Sequence, residues 1–92
     1  MTDSSAIICT IFKSSREQGL YVFVPKAQGV KNIPEELHQR MGECLEVMVL
    51  NITPDKILAR VKAPAVIHDI NEKGYYLQLP PEITSQVLHD GD

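Results

Sequence analysis

The sequence lacks several features that mark large classes of protein. It has no tryptophan, only two cysteines, and nine Lys and Arg residues against twelve Asp and Glu, which gives a net charge of −3. Bulk attraction to nucleic acid or to an anionic membrane needs an excess of positive charge, so this balance argues against both partners. No apolar run approaches the roughly 18 residues of a transmembrane helix, and the first five residues lack the basic region of a signal peptide. We therefore expect a cytoplasmic protein.

Motifs for catalysis and for metal binding are also missing. Cys9 and Cys44 are too far apart for a Cys-x-x-Cys motif, and His38, His68 and His89 form no His-x-x-x-His pair. The five glycines are dispersed, so there is no glycine-rich phosphate loop. Cys9 falls in a predicted buried strand, where a thiol is usually inert. The sequence thus predicts no catalytic residue, no metal site and no cofactor, and both cysteines are expected to be reduced.

The length and the apolar content predict one small domain. With 92 residues and 43% hydrophobic side chains, the chain can build a single core and has no room for a second one or for a large internal cleft. The domain spans residues 1–92, with polar flexible tails at 1–5 and 89–92.

Alternating apolar runs and turn signals predict the element order ββαβαβα. The strands cover residues 6–12, 20–24, 45–52 and 75–79, and the helices cover residues 34–41, 62–73 and 82–88. The first two strands are joined by a short polar loop, which is typical of an antiparallel hairpin. The predicted fold class is α+β, a small α/β/α sandwich around a four-stranded, mainly antiparallel sheet. The strand order is left open.

The apolar runs also predict which side chains are buried. Residues 6–12 are almost continuously apolar, which is typical of a strand covered on both faces. The run at residues 47–50 predicts a strand buried on at least one face. We therefore expect all four strands to be shielded from water, with Ile8 and Val49 inside. Ile33, Leu37 and Met41 are predicted to form the buried stripe of the first helix, which is short.

Three segments together resemble the YcgL domain family of proteobacteria. The most distinctive is Gly-Tyr-Tyr-Leu-Gln-Leu-Pro-Pro at residues 74–81, and it is accompanied by Cys-Thr-Ile-Phe-Lys-Ser-Ser-Arg at 9–16 and Tyr-Val-Phe-Val at 21–24. The resemblance runs from about residue 8 to residue 81. It implies a small α/β/α sandwich of uncharacterised function, and it supplies no catalytic motif. The family usually has an acidic residue near the start of the helix before Gly74, where this chain has Lys62, so a functional acidic group at that position is in doubt.

Two local groups of residues are candidates for ligand or partner binding. Lys13, Ser14, Ser15 and Arg16 offer two cationic heads, two hydroxyls and loop amides to an anion, although the same residues also suit a solvated hairpin turn. Tyr76 and Gln78 lie at the end of a strand and are suited to a peptide or a ring-shaped ligand, or to structural support.

Three functions remain compatible with these residues. The favoured one is a non-enzymatic interaction or regulatory module that binds an unknown protein through its surface. The second is a small anionic-ligand sensor or minor enzyme that uses the 13–16 loop with Tyr76 and Gln78. The third is weak RNA contact through the first hairpin, where Tyr21 and Phe23 lie among basic residues. Oligomeric state is left open.

Overall fold

A computed structural model of the chain describes residues 6–58 and 61–80. The described elements are β1 (Ile7–Ser14), β2 (Tyr21–Pro25), α1 (Glu35–Met41), β3 (Cys44–Ile52), α2 (Ala63–Lys73) and β4 (Tyr76–Gln78). The predicted helix at residues 82–88 and the predicted tails lie outside the described residues. Neither described helix is both long enough and apolar enough to cross a lipid bilayer.

The four strands form one sheet in the order β3-β1-β2-β4, and every neighbouring pair is antiparallel. The central strand β1 pairs Thr10 with Val24 of β2 on one side and with Val49 of β3 on the other. Within the described residues, β3 and β4 are the edges of the sheet. The predicted α+β class and the antiparallel sheet are confirmed.

The two helices cover opposite faces of this sheet, which confirms the α/β/α sandwich. Successive side chains of a strand point to opposite faces, so each central strand contributes to two half-cores. The α2 half-core contains Cys9, Ile11, Phe23, Ile52, Ala63, Val66, Ile67 and Ile70. The α1 half-core contains Leu20, Val22, Val24, Ile33, Leu37 and Met41. The sheet thus divides the apolar interior into two layers, as the predicted sandwich implies.

Proline and glycine set the ends of both helices, largely as the sequence predicts. Pro34 is itself the N-cap of α1, rather than Asn32 or Ile33, and Gly42 ends the helix with a positive φ of 70°. Lys62 is the N-cap of α2 and makes no side-chain capping hydrogen bond, while Pro64 occupies the first turn. Gly74 closes α2 in the left-handed conformation, and its N–H donates to the Ile70 carbonyl.

Strand β3 departs from the predicted burial. The side chains of Ile8 and Val49 are 53% and 42% exposed, so the expectation that every strand is shielded from water is wrong. The physical reason is the strand order. The helices lie mainly over β1, β2 and β4, which leaves most of β3 uncovered at the edge. An apolar run does not distinguish a central strand from an uncovered edge strand.

Candidate functional site

A group of exposed apolar side chains flanks the free edge of β3 on both faces of the sheet. We call it the β3 edge surface and define it by Ile8, Leu45, Val47, Met48 and Val49. These side chains are between 37% and 53% exposed. Single exposed apolar side chains are common on protein surfaces, but several gathered along one strand edge mark an interaction site or an aggregation hazard.

The backbone of β3 also has an unpaired side. The Ser14 N–H donates to the Leu20 carbonyl, and the Lys26 N–H donates to the Ile8 carbonyl, each at 2.9 Å. Successive residues of an antiparallel strand direct their backbone N–H and carbonyl groups to opposite sides. The backbone groups of the even-numbered β1 residues therefore point towards β2, and those of the odd-numbered residues point towards β3. Cys9 pairs with Leu50 in β3.

The pairing of Cys9 with Leu50 turns the Leu50 backbone towards β1. The adjacent Val49 and Asn51 therefore direct their N–H and carbonyl groups away from the sheet. Within residues 6–58 and 61–80, no strand lies on that side to receive them. A further strand added there would find these donors and acceptors free.

An open apolar cleft of about 320 Å³ adjoins the same strand on the α2 side of the sheet. Its lining comes from β1, β2, β3, β4 and the β3–α2 connection: Ile11, Tyr21, Phe23, Val47, Met48, Leu50, Leu58, Val61 and Gln78. Two members, Val47 and Met48, also belong to the β3 edge surface. The cleft opens on the surface, whereas the chain length argues only against a large cleft inside the domain.

The hydroxyls of the 13–16 loop are used within the fold. Ser14 Oγ donates to the Met41 carbonyl at 2.6 Å and accepts hydrogen bonds from the backbone N–H groups of Arg16 and Glu17, each at 2.9 Å. Ser15 Oγ accepts from the Glu43 N–H at 2.8 Å. These bonds tie the β1–β2 loop to the turn between α1 and β3.

The cationic head of Arg16 is also engaged. Its Nη1 donates to the Gln39 carbonyl at 3.2 Å. Beside it, Arg40 and Glu17 form a two-point ion pair at 2.9 and 3.1 Å, and the hydrogen bond from Arg40 lowers the pKa of Glu17. Lys13 makes no ion pair within the described part of the chain, so it is the cation of the loop best placed to meet an external anion.

Tyr76 and Gln78 have different surroundings. The Tyr76 ring packs edge-to-face on Phe23, with centroids 5.6 Å apart and an interplanar angle of 88°, and belongs to the margin of the α2 half-core. Gln78 pairs with Tyr21 across the sheet and lines the apolar cleft. The 13–16 loop lines a separate hollow that also includes Tyr21. The two predicted groups are therefore neighbours joined at Tyr21, and they do not share one cleft.

Cys9 and Phe23 are buried, and Cys44 is half-buried. Cys9 has no exposed surface, and burial raises the pKa of its thiol to about 11, so little thiolate forms at neutral pH. Burial also raises the pKa of the Cys44 thiol. Phe23 is buried, which removes one of the two hairpin aromatics that RNA stacking would require. Among the described residues, His, Cys, Asp and Glu do not gather into a group of three suited to a metal ion.

Sequence reasoning missed the β3 edge surface. The apolar run that forms it is visible in the sequence, but the run was interpreted as buried because the strand order was not known. The usual guards of an exposed edge are Lys and Pro. Their absence from residues 44–52 is consistent with burial and with a binding edge alike.

Comparison with known proteins gives a consistent family. The model of the YcgL domain matches residues 9–81. A YcgL domain-containing protein of Cellvibrio japonicus is 47% identical over 75 residues, which is 82% of this chain and 76% of that protein. Another from Chromohalobacter salexigens is 43% identical over 81 residues, covering 88% and 84% of the two chains. A third, from Hahella chejuensis, is 46% identical over 81 residues, covering 88% and 76%.

These relatives carry the name of their domain and no activity. The matched residues begin at Cys9 in β1 and end just beyond β4, so they contain most of β1, the other three strands and both described helices. The resemblance noted in the sequence is confirmed, and this chain belongs to the YcgL domain family.

Proposed function

We propose that this protein is a non-enzymatic interaction module that binds another protein chain through the β3 edge surface. The observation that carries the proposal is a nine-residue edge strand whose apolar side chains and outward backbone groups are both uncovered in the described structure. We also propose that the protein acts in the cytoplasm, where its free Cys9 and Cys44 would stay reduced.

A protein partner suits this surface because an extended segment can both pair with the outward backbone groups of β3 and cover its apolar side chains. Added as a further strand, it would pair with the outward N–H and carbonyl groups of Val49 and Asn51. Its alternate side chains would then cover Met48 on one face of the sheet and Val49 on the other. Nucleic acid offers no comparable match, because Glu46 is the only charged residue in β3 and phosphate contacts need cations.

Site-specific photo-cross-linking in the native cells tests the proposal. A photoreactive residue at position 49 is expected to give a covalent adduct with a protein chain, since a bound strand would lie within van der Waals reach. The same residue at position 65 is the matched control, because Ala65 is exposed on α2, away from the free edge. Mass spectrometry of the adduct identifies the attached chain and the cross-linked residue.

A second substitution makes the cross-link diagnostic. Val47→Lys adds a charge to the β3 edge surface and is expected to abolish the adduct from position 49, whereas Ala65→Lys adds the same charge elsewhere and is expected to preserve it. Adducts that form equally from positions 49 and 65, or no adduct at position 49, would contradict the proposed function.

A second candidate, binding of a small anionic ligand, is favoured by the position of Tyr21. This residue lines both the apolar cleft that contains Gln78 and the hollow formed by the 13–16 loop. A ligand with an apolar body and an acidic group could occupy the cleft while its anion meets Lys13. The cleft volume of about 320 Å³ lies at the lower end of the range for small-molecule sites.

A thermal-shift screen with nucleotides and phosphorylated metabolites tests this second candidate. A ligand at about 100 times its Kd stabilises a protein by about 2.7 kcal/mol, and each kcal/mol raises the Tm of a domain this size by about 4–8 °C. Lys13→Ala is expected to remove the shift, while Lys31→Ala, at an exposed position in the β2–α1 loop, is expected to retain it. The absence of a shift with every anion rejects this candidate.

A further inference from the structure

The chemistry of β3 indicates which chain occupies its edge. We infer that the partner is a second copy of this protein, joined by antiparallel pairing of the two β3 strands about a two-fold axis at Val49. The inference rests on the proposed function and names the partner. Such pairing would extend each four-stranded sheet into a continuous eight-stranded one.

The backbone of β3 fits this arrangement. Val49 is the outward-facing residue nearest the middle of Cys44–Ile52. With the axis at Val49, its N–H in each copy donates to the Val49 carbonyl of the other copy, because a two-fold axis makes every contact occur twice. The ladder between β1 and β3 shifts register between Ile11 and Phe12, opposite Val47. Residues 48–50, which form the three pairs nearest the axis, lie beyond that irregularity, whereas Asn51 would pair with Val47 of the other copy, at the irregularity.

The side chains are self-complementary about the same axis. Met48 of one copy would lie opposite Leu50 of the other on the α2 side of the sheet, and the two Val49 side chains would meet on the α1 side. Cross-strand pairs of apolar and β-branched side chains stabilise antiparallel sheets. A foreign partner would have to supply a matching apolar strand, whereas the chain already contains one in its own β3.

The charge of β3 does not oppose the pairing. Glu46 is the only charged residue in the strand, and it lies three positions from the axis. The two Glu46 residues would be separated by six residues along the paired strands, or about 20 Å. At physiological ionic strength the Debye length is about 8 Å, so their repulsion is largely screened.

Sedimentation equilibrium of the purified full chain, from micromolar to submillimolar concentration, tests the inference. The expected result is a concentration-dependent rise from the monomer mass to twice that mass. Val49→Lys would place two ammonium groups opposite each other, and we expect it to weaken dimerisation at least tenfold. Ala65→Lys adds the same charge on α2 and is expected to leave the dimerisation constant unchanged.

A mixing experiment checks the position of the axis. Val49→Lys and Val49→Glu are each expected to be monomeric alone and to form a heterodimer when mixed, because the introduced charges then attract. Circular dichroism confirms that each variant is folded. A wild-type protein that stays monomeric at every concentration, or a mixture that stays monomeric while the wild type dimerises, overturns the inference.

The dimerisation and cross-linking experiments together distinguish failure of the second-copy inference from failure of the proposed function. A monomer in solution together with an adduct from position 49 to a different protein overturns the second-copy inference and leaves the interaction module standing. An adduct between two copies, together with a dimer in solution, supports both. The absence of any adduct from position 49 contradicts the proposed function itself.

Discussion

At the scale of single residues, Gly42 has two structural roles, one in its backbone conformation and one in the space beside it. Its positive φ of 70° lets the chain leave α1 and enter β3, and its missing side chain makes space for Arg16. A Cβ atom built at this position would overlap the Arg16 side chain and approach Ser15 Oγ to 2.7 Å. Both neighbours belong to the loop that is hydrogen-bonded to the α1–β3 turn.

Replacement of Gly42 by Ala is therefore expected to cost more than an ordinary glycine substitution. We expect Gly42→Ala to lower the free energy of unfolding by about 2–3 kcal/mol, because backbone strain adds to displacement of Arg16 from the Gln39 carbonyl. Gly29→Ala is the matched control, since Gly29 also has a positive φ but a Cβ there meets nothing within 4 Å. Its expected cost is about 1–2 kcal/mol. Urea denaturation measures both.

The difference between the two alanine variants should shrink when Arg16 is also replaced by Ala, because the steric partner is then gone. Equal losses for Gly42→Ala and Gly29→Ala would show that the close approach of Arg16 contributes nothing to stability.

At the scale of elements, the sequence was sufficient where a local signal sets the structure. The stripe of Ile33, Leu37 and Met41 predicted α1. Gly42 and Gly74 marked the ends of the two described helices, and β-branched runs bounded by polar turns predicted the strands. These signals depend on neighbours in the chain, so they can be read without knowing the tertiary arrangement.

The same signals failed where the structure depends on non-local pairing. Val47, Met48 and Val49 resemble the buried strand residues Val22 and Val24 in composition, yet β3 is an edge strand and β2 is covered by α1. Only the strand order decides between these environments, and no local pattern encodes it.

The candidate site shows the same limit. The 13–16 loop was correctly recognised as a place where hydroxyls and cations gather, but the partners of those groups lie 23 to 28 residues away in the chain. Sequence spacing could not reveal that Ser14, Ser15 and Arg16 are committed to the α1–β3 turn.

At the scale of the whole molecule, β1 and β2 join the two half-cores. The α2 half-core takes Cys9 and Phe23 from these strands, and the α1 half-core takes Val22 and Val24. Because each strand contributes to both faces, opening one layer removes the support of the other. Unfolding should therefore be cooperative across the sheet, as is usual for single domains of this size.

The rate at which a reagent modifies the Cys9 thiol measures this coupling between the two half-cores. This thiol is fully buried, with its pKa raised to about 11 by burial, so modification by a thiol reagent near neutral pH requires the structure to open. Met41 is equally buried in the α1 half-core, on the other side of the sheet. Met41→Ala is expected to lower the free energy of unfolding by about 2–5 kcal/mol. In a Cys44→Ser background, it should also speed Cys9 modification tenfold for each 1.4 kcal/mol lost, as about 1.4 kcal/mol is a tenfold change in an equilibrium constant.

Ile52→Ala is the matched control, because Ile52 is fully buried in the α2 half-core together with Cys9. If the sheet unfolds as one unit, reagent reaches Cys9 only through global unfolding in both variants. A plot of the Cys9 modification rate against the free energy of unfolding then places both variants on one line. If the α2 layer opens independently, Ile52→Ala speeds the modification of Cys9 while Met41→Ala leaves it unchanged. That second pattern would contradict cooperative coupling through β1 and β2.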